Sequence, residues 1–559
     1  MKQFTPILFR ILLCLGLVFA AFLWATNLMD SLYAFRSPLH SNPPLPGEPL
    51  LPSDVPIPTR RLIFVLMDAL RVDTANDPAI MPTLGALRQQ AAWATMHSRP
   101  PSYSDPGYSA LFTGAWPELS DGPAMNVEYE DTPTWTQDNL FSALKRRGFQ
   151  AAVSAYYWFE KLIPQYAVSA SFYTPGDDQA ADRQVVDAAL PWLHDLEYQL
   201  VFIHLDQVDY AGHYEGGPLD PRWNQAARRV DDMLVEILSE LDLNQDTLLV
   251  LSDHGMIDRG GHGGHEAIVL QEPFILAGAG VKPGNYGDID MVDVAPTLAA
   301  LMGANIPASS QGRVLTEMLA LPPEVTAALP EALTAQQGRL LDAYQAAIES
   351  HVTLEPGEDI VASHQDALES ARSLRLQNEL LPRFILAALL TLMLLVWFIW
   401  KRREDLPWYI LASLIYLLLF NLRYALIDGR TYSLSSVASA NDLILYTTST
   451  AAMALLVSWM VTALVHKVFR RLPRQAAMWT LDLALFIVFL LIMPILWSYV
   501  LNGMLVTWTM PHFPSLFLGF LSLIQVLTVA ICGLVITLAS FIIGLMLKRR
   551  YTQSDRNAA

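Results

Sequence analysis

The sequence predicts an α/β fold, a doubly wound and mostly parallel sheet, joined to an α-helical transmembrane bundle. Three observations carry that expectation. Short continuous apolar runs alternate with helical patterns between residues 61 and 321. Longer apolar runs fill the last third of the chain. Of its 559 residues, 53% are hydrophobic, too many for a purely soluble chain of this length.

The first segment, ILLCLGLVFAAFLWATNLM at 11–29, is long enough to span a bilayer and follows Lys2 and Arg10. It reads as a signal anchor over 1–29, with cleavage around Ala20 or Ala21 as the alternative; both put the next domain outside the cytoplasm. Residues 30–60 contain a Pro-rich spacer, SPLHSNPPLPGEPLLPSDVPIP, which favours an extended lead. Over 61–321 the runs RLIFVLM (61–67), FQAAVSAYY (149–157), LVFIHL (200–205), TLLVLS (247–252) and PFILAG (273–278) read as strands buried on both faces. Helical patterns such as WNQAARRVDDMLVEILSEL (223–241) lie between them. Residues 322–382, rich in Ala, Glu and Gln, read as a helical connector, 383–550 as a bundle of about five transmembrane helices, and 551–559 as a cytoplasmic tail.

The five apolar runs are 384–400, 408–427, 443–465, 477–500 and 515–547. Lys401-Arg402-Arg403, then Lys467, Arg470, Arg471 and Arg474, then Lys548-Arg549-Arg550 alternate with loops that carry only Arg430. That alternation follows the positive-inside rule and leaves the middle domain extracytoplasmic. Residues 28–380 hold 20 basic against 48 acidic residues, a net −28. So acidic a domain repels nucleic acid and suits hard cations or zwitterionic substrates. The two cysteines, Cys14 and Cys532, both fall in apolar spans, which excludes a disulfide or thiolate metal site from the outer domain. With no Asn-x-Ser/Thr sequon there, the expectation is a multi-pass protein of a prokaryotic plasma membrane.

Chemistry gathers where the strands end. RLIFVLM runs into Asp68, LVFIHL into Asp206 and the segment DQVDYAGH with Asp209 and His213, and TLLVLS into Asp253 and His254, followed by His262 and His265. In a doubly wound sheet ligands collect at the carboxyl edge of the strands, so these groups can meet although they are distant in sequence. Carboxylates and imidazoles without sulfur suit zinc, with manganese possible, better than calcium or magnesium. So many ligands imply two ions. A nucleophile is available in RPPSYSDPGYSALFTG (99–114), where Ser102 or Ser104 precedes a helix start whose N–H groups can face an anion.

VLMDALRVD, PSYSDPGYSALFTG, DQVDYAGH and SDHGMIDRGGHGG together resemble the signature blocks of the alkaline phosphatase superfamily. The branch resembled is that of type I phosphodiesterases and GPI ethanolamine phosphate transferases. The resemblance implies an alkaline phosphatase-like sheet with two divalent ions. Asp68, Asp253, His254 and the nucleophile Ser104 would hold one; Asp209, His213 and His262 would hold the other, with His265 as an alternative ligand. It places Ser102 and Gly107 on the substrate. Gly107 stands where nucleotide pyrophosphatases carry Asn, which leans towards transfer; Tyr108, in place of the Arg of sulfatases, argues against that activity. The function implied is attack by Ser104 on a phosphodiester, a covalent phospho-Ser104 ester, and transfer of a phospho-alcohol such as phosphoethanolamine from a phospholipid to a glycolipid or glycan. Hydrolysis by the same machinery is the alternative, and a scaffold or transporter role of the helical bundle a third reading.

Overall fold

The computed structural model describes residues 5–355, 357–437 and 439–558. They form two compact units, one of residues 1–30, 378–506 and 511–559, the other of 31–377 and 507–510.

The second unit is built on one eight-stranded sheet: β1 (Arg61–Met67), β2 (Ala91–His97), β3 (Ala151–Tyr156), β4 (Ala170–Thr174), β5 (Leu200–Leu205), β6 (Asp246–Leu251), β7 (Gln271–Gly278) and β8 (Gly284–Asp290). Their order is β4-β3-β5-β1-β6-β7-β2-β8. Only β7 runs against the rest, pairing antiparallel with β6 and β2, while the other neighbours pair in parallel. The sheet is thus the mixed but mostly parallel α/β sheet expected. All five sequence-expected strands are present.

Buried strands of this kind need apolar side chains at every position, because successive residues point to opposite faces. In β1, Leu62, Phe64 and Leu66 enter one core with Phe112, Phe141 and Phe202. Ile63, Val65 and Met67 enter the other with Trp223, Val230, Leu234 and Ile237. The last four lie on the helix Pro221–Ser239, which the 3.6-residue pattern had indicated. The Phe64 ring centre lies 5.0 Å from that of Phe112, tilted, and 5.5 Å from that of Phe202, edge-on, so one aromatic cluster ties the central strand to the helix Ser104–Thr113.

The base of the central strands carries a buried ion pair. Arg61 and Asp246, the first residues of β1 and β6, are 1% and 0% exposed, and their side chains meet at 3.1 Å. Arg60 adds a second bond to Asp246 at 2.8 Å. Asp246→Ala would strand the Arg61 guanidinium, so the expected loss is about 3–5 kcal/mol. A denaturant melt in which the midpoint stays where it is in the parent would contradict this.

The first unit contains, among the described residues, five helices long and apolar enough to cross a membrane: Ile360–Trp400, Leu406–Ile427, Asn441–Val465, Pro473–Asn502 and Phe513–Arg549. The first begins within the other unit. Large apolar side chains such as Leu418, Leu426, Ile531 and Leu538 are 61–78% exposed, a surface that lipid tolerates and water does not. The N-terminal segment is helical over Thr5–Tyr33. Its Trp24 donates to Gly503 O at 3.0 Å and stacks on Phe520 at 5.8 Å, and Leu28 is fully buried.

Candidate metal centre and nucleophile

β5, β1 and β6 are neighbours and run in parallel, so their carboxyl ends share one edge of the sheet. Adjacent strands lie about 4.8 Å apart, which brings three strand ends within roughly 10 Å. Asp68 follows β1, Asp206 follows β5, and Asp253 with His254 follows β6. The helix Gln207–Tyr214 starts directly after Asp206 and puts Asp209 and His213 on one face, their side chains 3.5 Å apart. Ala69 adopts a left-handed conformation, φ 58°, in which its N–H reaches Asp253 Oδ1 at 3.3 Å.

Two histidines set the chemistry. His254 Nδ1 faces Gly255 O and His262 Nδ1 faces Ser102 O, each at 3.0 Å. A carbonyl oxygen only accepts, so both rings carry their proton on Nδ1 and present a lone pair on Nε2. The two rings stack at 3.9 Å with 10° between planes. His254 Nε2 lies 3.2 Å from Ser104 Oγ, 3.5 Å from Asp68 Oδ1 and 3.4 Å from Asp253 Oδ2. His262 Nε2 lies 2.9 Å from His213 Nε2 and 3.6 Å from Asp209 Oδ1.

These donor atoms fit metal ions. Ligand atoms about 2.0–2.1 Å from a tetrahedral ion are about 3.3 Å apart, the spacing found here. The buried oxygens Asp68 Oδ1, Asp209 Oδ1 and Asp253 Oδ2 accept no hydrogen bond among the described residues. They are the oxygens that face the histidine lone pairs. Among the described residues three groups could hold a metal ion: Asp68, Asp253 and His254; Asp209, His254 and His262; and Asp68, His204 and Asp206.

Electrostatics point the same way. Burial, followed by the charge of Asp68, pushes Asp209 up to about 8 and Asp253 well above the usual carboxylate range. Burial, with His254 and His213 nearby, holds His262 well below an ordinary histidine. For Asp68, burial pushes upward, but the His204 hydrogen bond and the charges of His254 and His204 leave it lowered. Burial thus disfavours the charged forms of Asp209 and Asp253, and a divalent cation is what would let them ionise.

The remaining expected residues fall as follows. Ser104 opens the helix Ser104–Thr113 and aims its hydroxyl at His254. The Ser102 hydroxyl instead donates to Gly264 O and accepts from Gly263 N–H, both at 3.0 Å. It therefore pins the loop that carries His262. Gly107 backs onto Asp253: a Cβ there would lie 3.1 Å from Asp253 Cβ and 3.2 Å from its carbonyl oxygen. His265 is exposed and belongs to none of the metal-capable groups among the described residues.

The helix start offers fewer N–H groups than the sequence suggested. The Asp105 N–H goes to Asn126 Oδ1 at 3.1 Å, position 106 is proline, and the Gly107 N–H returns to Tyr103 O at 3.0 Å. Asp105 Oδ2 accepts from Val127 N–H at 3.2 Å, so Asn126 is clamped beside Ser104. Burial pushes Asp105 up to about 8. Asn126 does not emerge from the sequence, and neither does the role of Tyr108 and His204 as hydrogen-bond partners of Asp68. His204 alone left a signal, a histidine inside the apolar run LVFIHL.

Sheet and site together define an alkaline phosphatase-like domain. The chain belongs to the type I phosphodiesterase / nucleotide pyrophosphatase family, whose model matches residues 62–352, just over half of its length. It is 28% identical over 287 residues to the catalytic subunit of GPI ethanolamine phosphate transferase 3 from Homo sapiens, covering 46% of this chain and 26% of that protein. It is 26% identical over 303 residues to GPI ethanolamine phosphate transferase 2 from Kluyveromyces lactis, covering 48% and 38%. Among solved structures, murine ectonucleotide pyrophosphatase / phosphodiesterase 5 superposes with a TM-score of 0.37 at 14% identity, over 44% of this chain and 96% of that one. The chain spans about a quarter to two fifths of the length of the curated relatives named here.

Proposed function

We propose that this protein transfers a phospho-alcohol group of the phosphoethanolamine type from a phospholipid to a hydroxyl of a glycolipid or glycan, through a covalent ester on Ser104. The observation that carries the reading is the Ser104 hydroxyl, 3.2 Å from His254 Nε2 at the edge of an Asp/His cluster. The relatives named as GPI ethanolamine phosphate transferases supply the group transferred.

Asp68, Asp253, His254 and Ser104 would hold one divalent ion, and Asp209, His213 and His262 the other; the N/O donor set favours zinc, then manganese. Bound there, such ions supply Lewis acidity at the nucleophile and charge neutralisation at the leaving oxygen. Ser104 Oγ gives up its proton and attacks phosphorus, the bond from phosphorus to the diacylglycerol oxygen breaks, and that oxygen takes up the proton Ser104 released. Asn126, its amide oxygen tied to the Asp105 N–H, offers its NH2 to a phosphoryl oxygen. An acceptor hydroxyl then attacks the phosphoserine, the bond from phosphorus to Ser104 Oγ breaks, and the acceptor's proton returns to Ser104. Incubation of the purified protein with headgroup-labelled phosphatidylethanolamine and a glycan acceptor tests this: label must move to the acceptor. Label released only as free phosphoethanolamine would favour hydrolysis.

We further place the catalytic unit outside the cytoplasm, with the N-terminal helix retained as an anchor. The basic clusters between the apolar helices support the orientation, and the burial of Trp24 and Leu28 supports retention. Sequon absence pointed to a prokaryotic membrane, but the curated relatives named above are human and yeast proteins and lend that no support. A cysteine placed at the exposed Ala362 is expected to react with an impermeant maleimide in intact cells. Labelling only after permeabilisation would reverse the topology.

A further inference from the structure

We propose that Tyr108 and His204 are positioning residues that occupy one oxygen of Asp68 and so commit the other to the metal. The inference rests on the metal-site reading above and extends it to two residues outside the expected ligand set.

Tyr108 donates its hydroxyl proton to Asp68 Oδ2. His204 Nε2 lies 3.0 Å from the same oxygen and 3.1 Å from the tyrosine oxygen. Only the tautomer with hydrogen on Nε2 avoids setting a lone pair against a carboxylate, so His204 also donates to Oδ2. Its Nδ1 then has no partner among the described residues, a cost accepted in a fully buried setting. Two donated hydrogen bonds saturate Oδ2. Asp68 Oδ1, with no hydrogen bond of its own, is left 3.5 Å from His254 Nε2 on the side of the metal group.

Both donors are held rigidly. Tyr108 packs on Phe159 at 4.5 Å and meets the His204 ring edge-on at 5.4 Å, while Phe159 also lies 5.2 Å from His204. Tyr108 sits one helical turn beyond Ser104, and His204 is the penultimate residue of β5. The arrangement therefore couples the nucleophile's helix and the neighbouring strand to one metal ligand. Outer partners of this kind commonly change metal affinity by about 10–100-fold.

Tyr108→Phe removes one oxygen and keeps the ring packing. In the purified full-length protein, metal released to a chromophoric chelator is measured for the parent, Tyr108→Phe, His204→Leu and His204→Gln, with melting temperatures in parallel. We expect the affinity for one of two ions to fall about 10–100-fold in Tyr108→Phe and His204→Leu. His204→Gln, whose amide can still donate, should stay near the parent. Tyr108→Phe holding both ions as tightly as the parent would overturn the proposal, as would a loss of both ions with a lowered melting temperature. A parent that binds no metal would instead remove the metal-site reading itself.

Discussion

Ser104→Ala lowers turnover by about three or more decades and leaves most of the bound metal in place. The expectation follows from geometry. Of the two serines in the turn, only Ser104 faces the donor cluster, 3.2 Å from His254 Nε2. Its hydroxyl would be one ligand among several to an ion bound there, so Asp68, Asp253 and His254 would remain to hold metal. Ser102→Ala should behave differently. That hydroxyl spends both its bonds on Gly263 and Gly264, so its loss loosens the loop of His262 and costs about 0.5–1.5 kcal/mol per bond. Activity and metal content measured together on both variants separate the roles. Full activity in Ser104→Ala would overturn the assignment.

Asp253→Asn and His262→Ala are each expected to lose about one of two metal equivalents and nearly all activity. In Asp253→Asn the amide oxygen can keep the bond from the Ala69 N–H, now at 3.3 Å. The NH2 then replaces Oδ2, 3.4 Å from His254 Nε2, and donates into the lone pair that a metal would take. In His262→Ala a nitrogen 2.9 Å from His213 Nε2 disappears, and with it the contact to Asp209. His265→Ala should leave metal unchanged, because His265 points to solvent. Elemental analysis checks all three. Two equivalents retained in both Asp253→Asn and His262→Ala would take these residues out of the site.

Much of this was legible because burial writes itself into composition. β1, β5 and β6 are buried at every position and apolar at most of them, as strands covered on both faces tend to be, and the candidate ligands stand just past their ends. β4 and β8 escaped because they are edge strands: ASFYT and GNYGDID are mixed or polar, as edges that resist further pairing tend to be. β2, with its small residues AAWATMH, carries no strong period. β7 was recognisable as a strand, but nothing in PFILAG encodes its reversed direction, which depends on the connection that precedes it.

The same division holds at the site. Asp209 with His213 and the DHG segment announce themselves by spacing, whereas Tyr108 and Asn126 gain meaning only from tertiary contacts. Tyr108 drew notice in sequence only as a residue that argues against a sulfatase, with nothing to tie it to Asp68, and Asn126 lies in an irregular stretch without periodicity. Gly107 drew attention as a substrate contact; its place against Asp253 gives a packing reason for the missing side chain.

The proposed reaction passes through a covalent phospho-alcohol ester on Ser104 that is handed to a hydroxyl acceptor. Intact-protein and peptide mass spectrometry after incubation with phosphatidylethanolamine measures it directly. The account predicts a phosphoethanolamine-sized adduct on the peptide containing Ser104, absent in Ser104→Ala, that persists until a glycan acceptor is added. An adduct mapped to Ser102, or one discharged as fast by water alone as in the presence of acceptor, would contradict it.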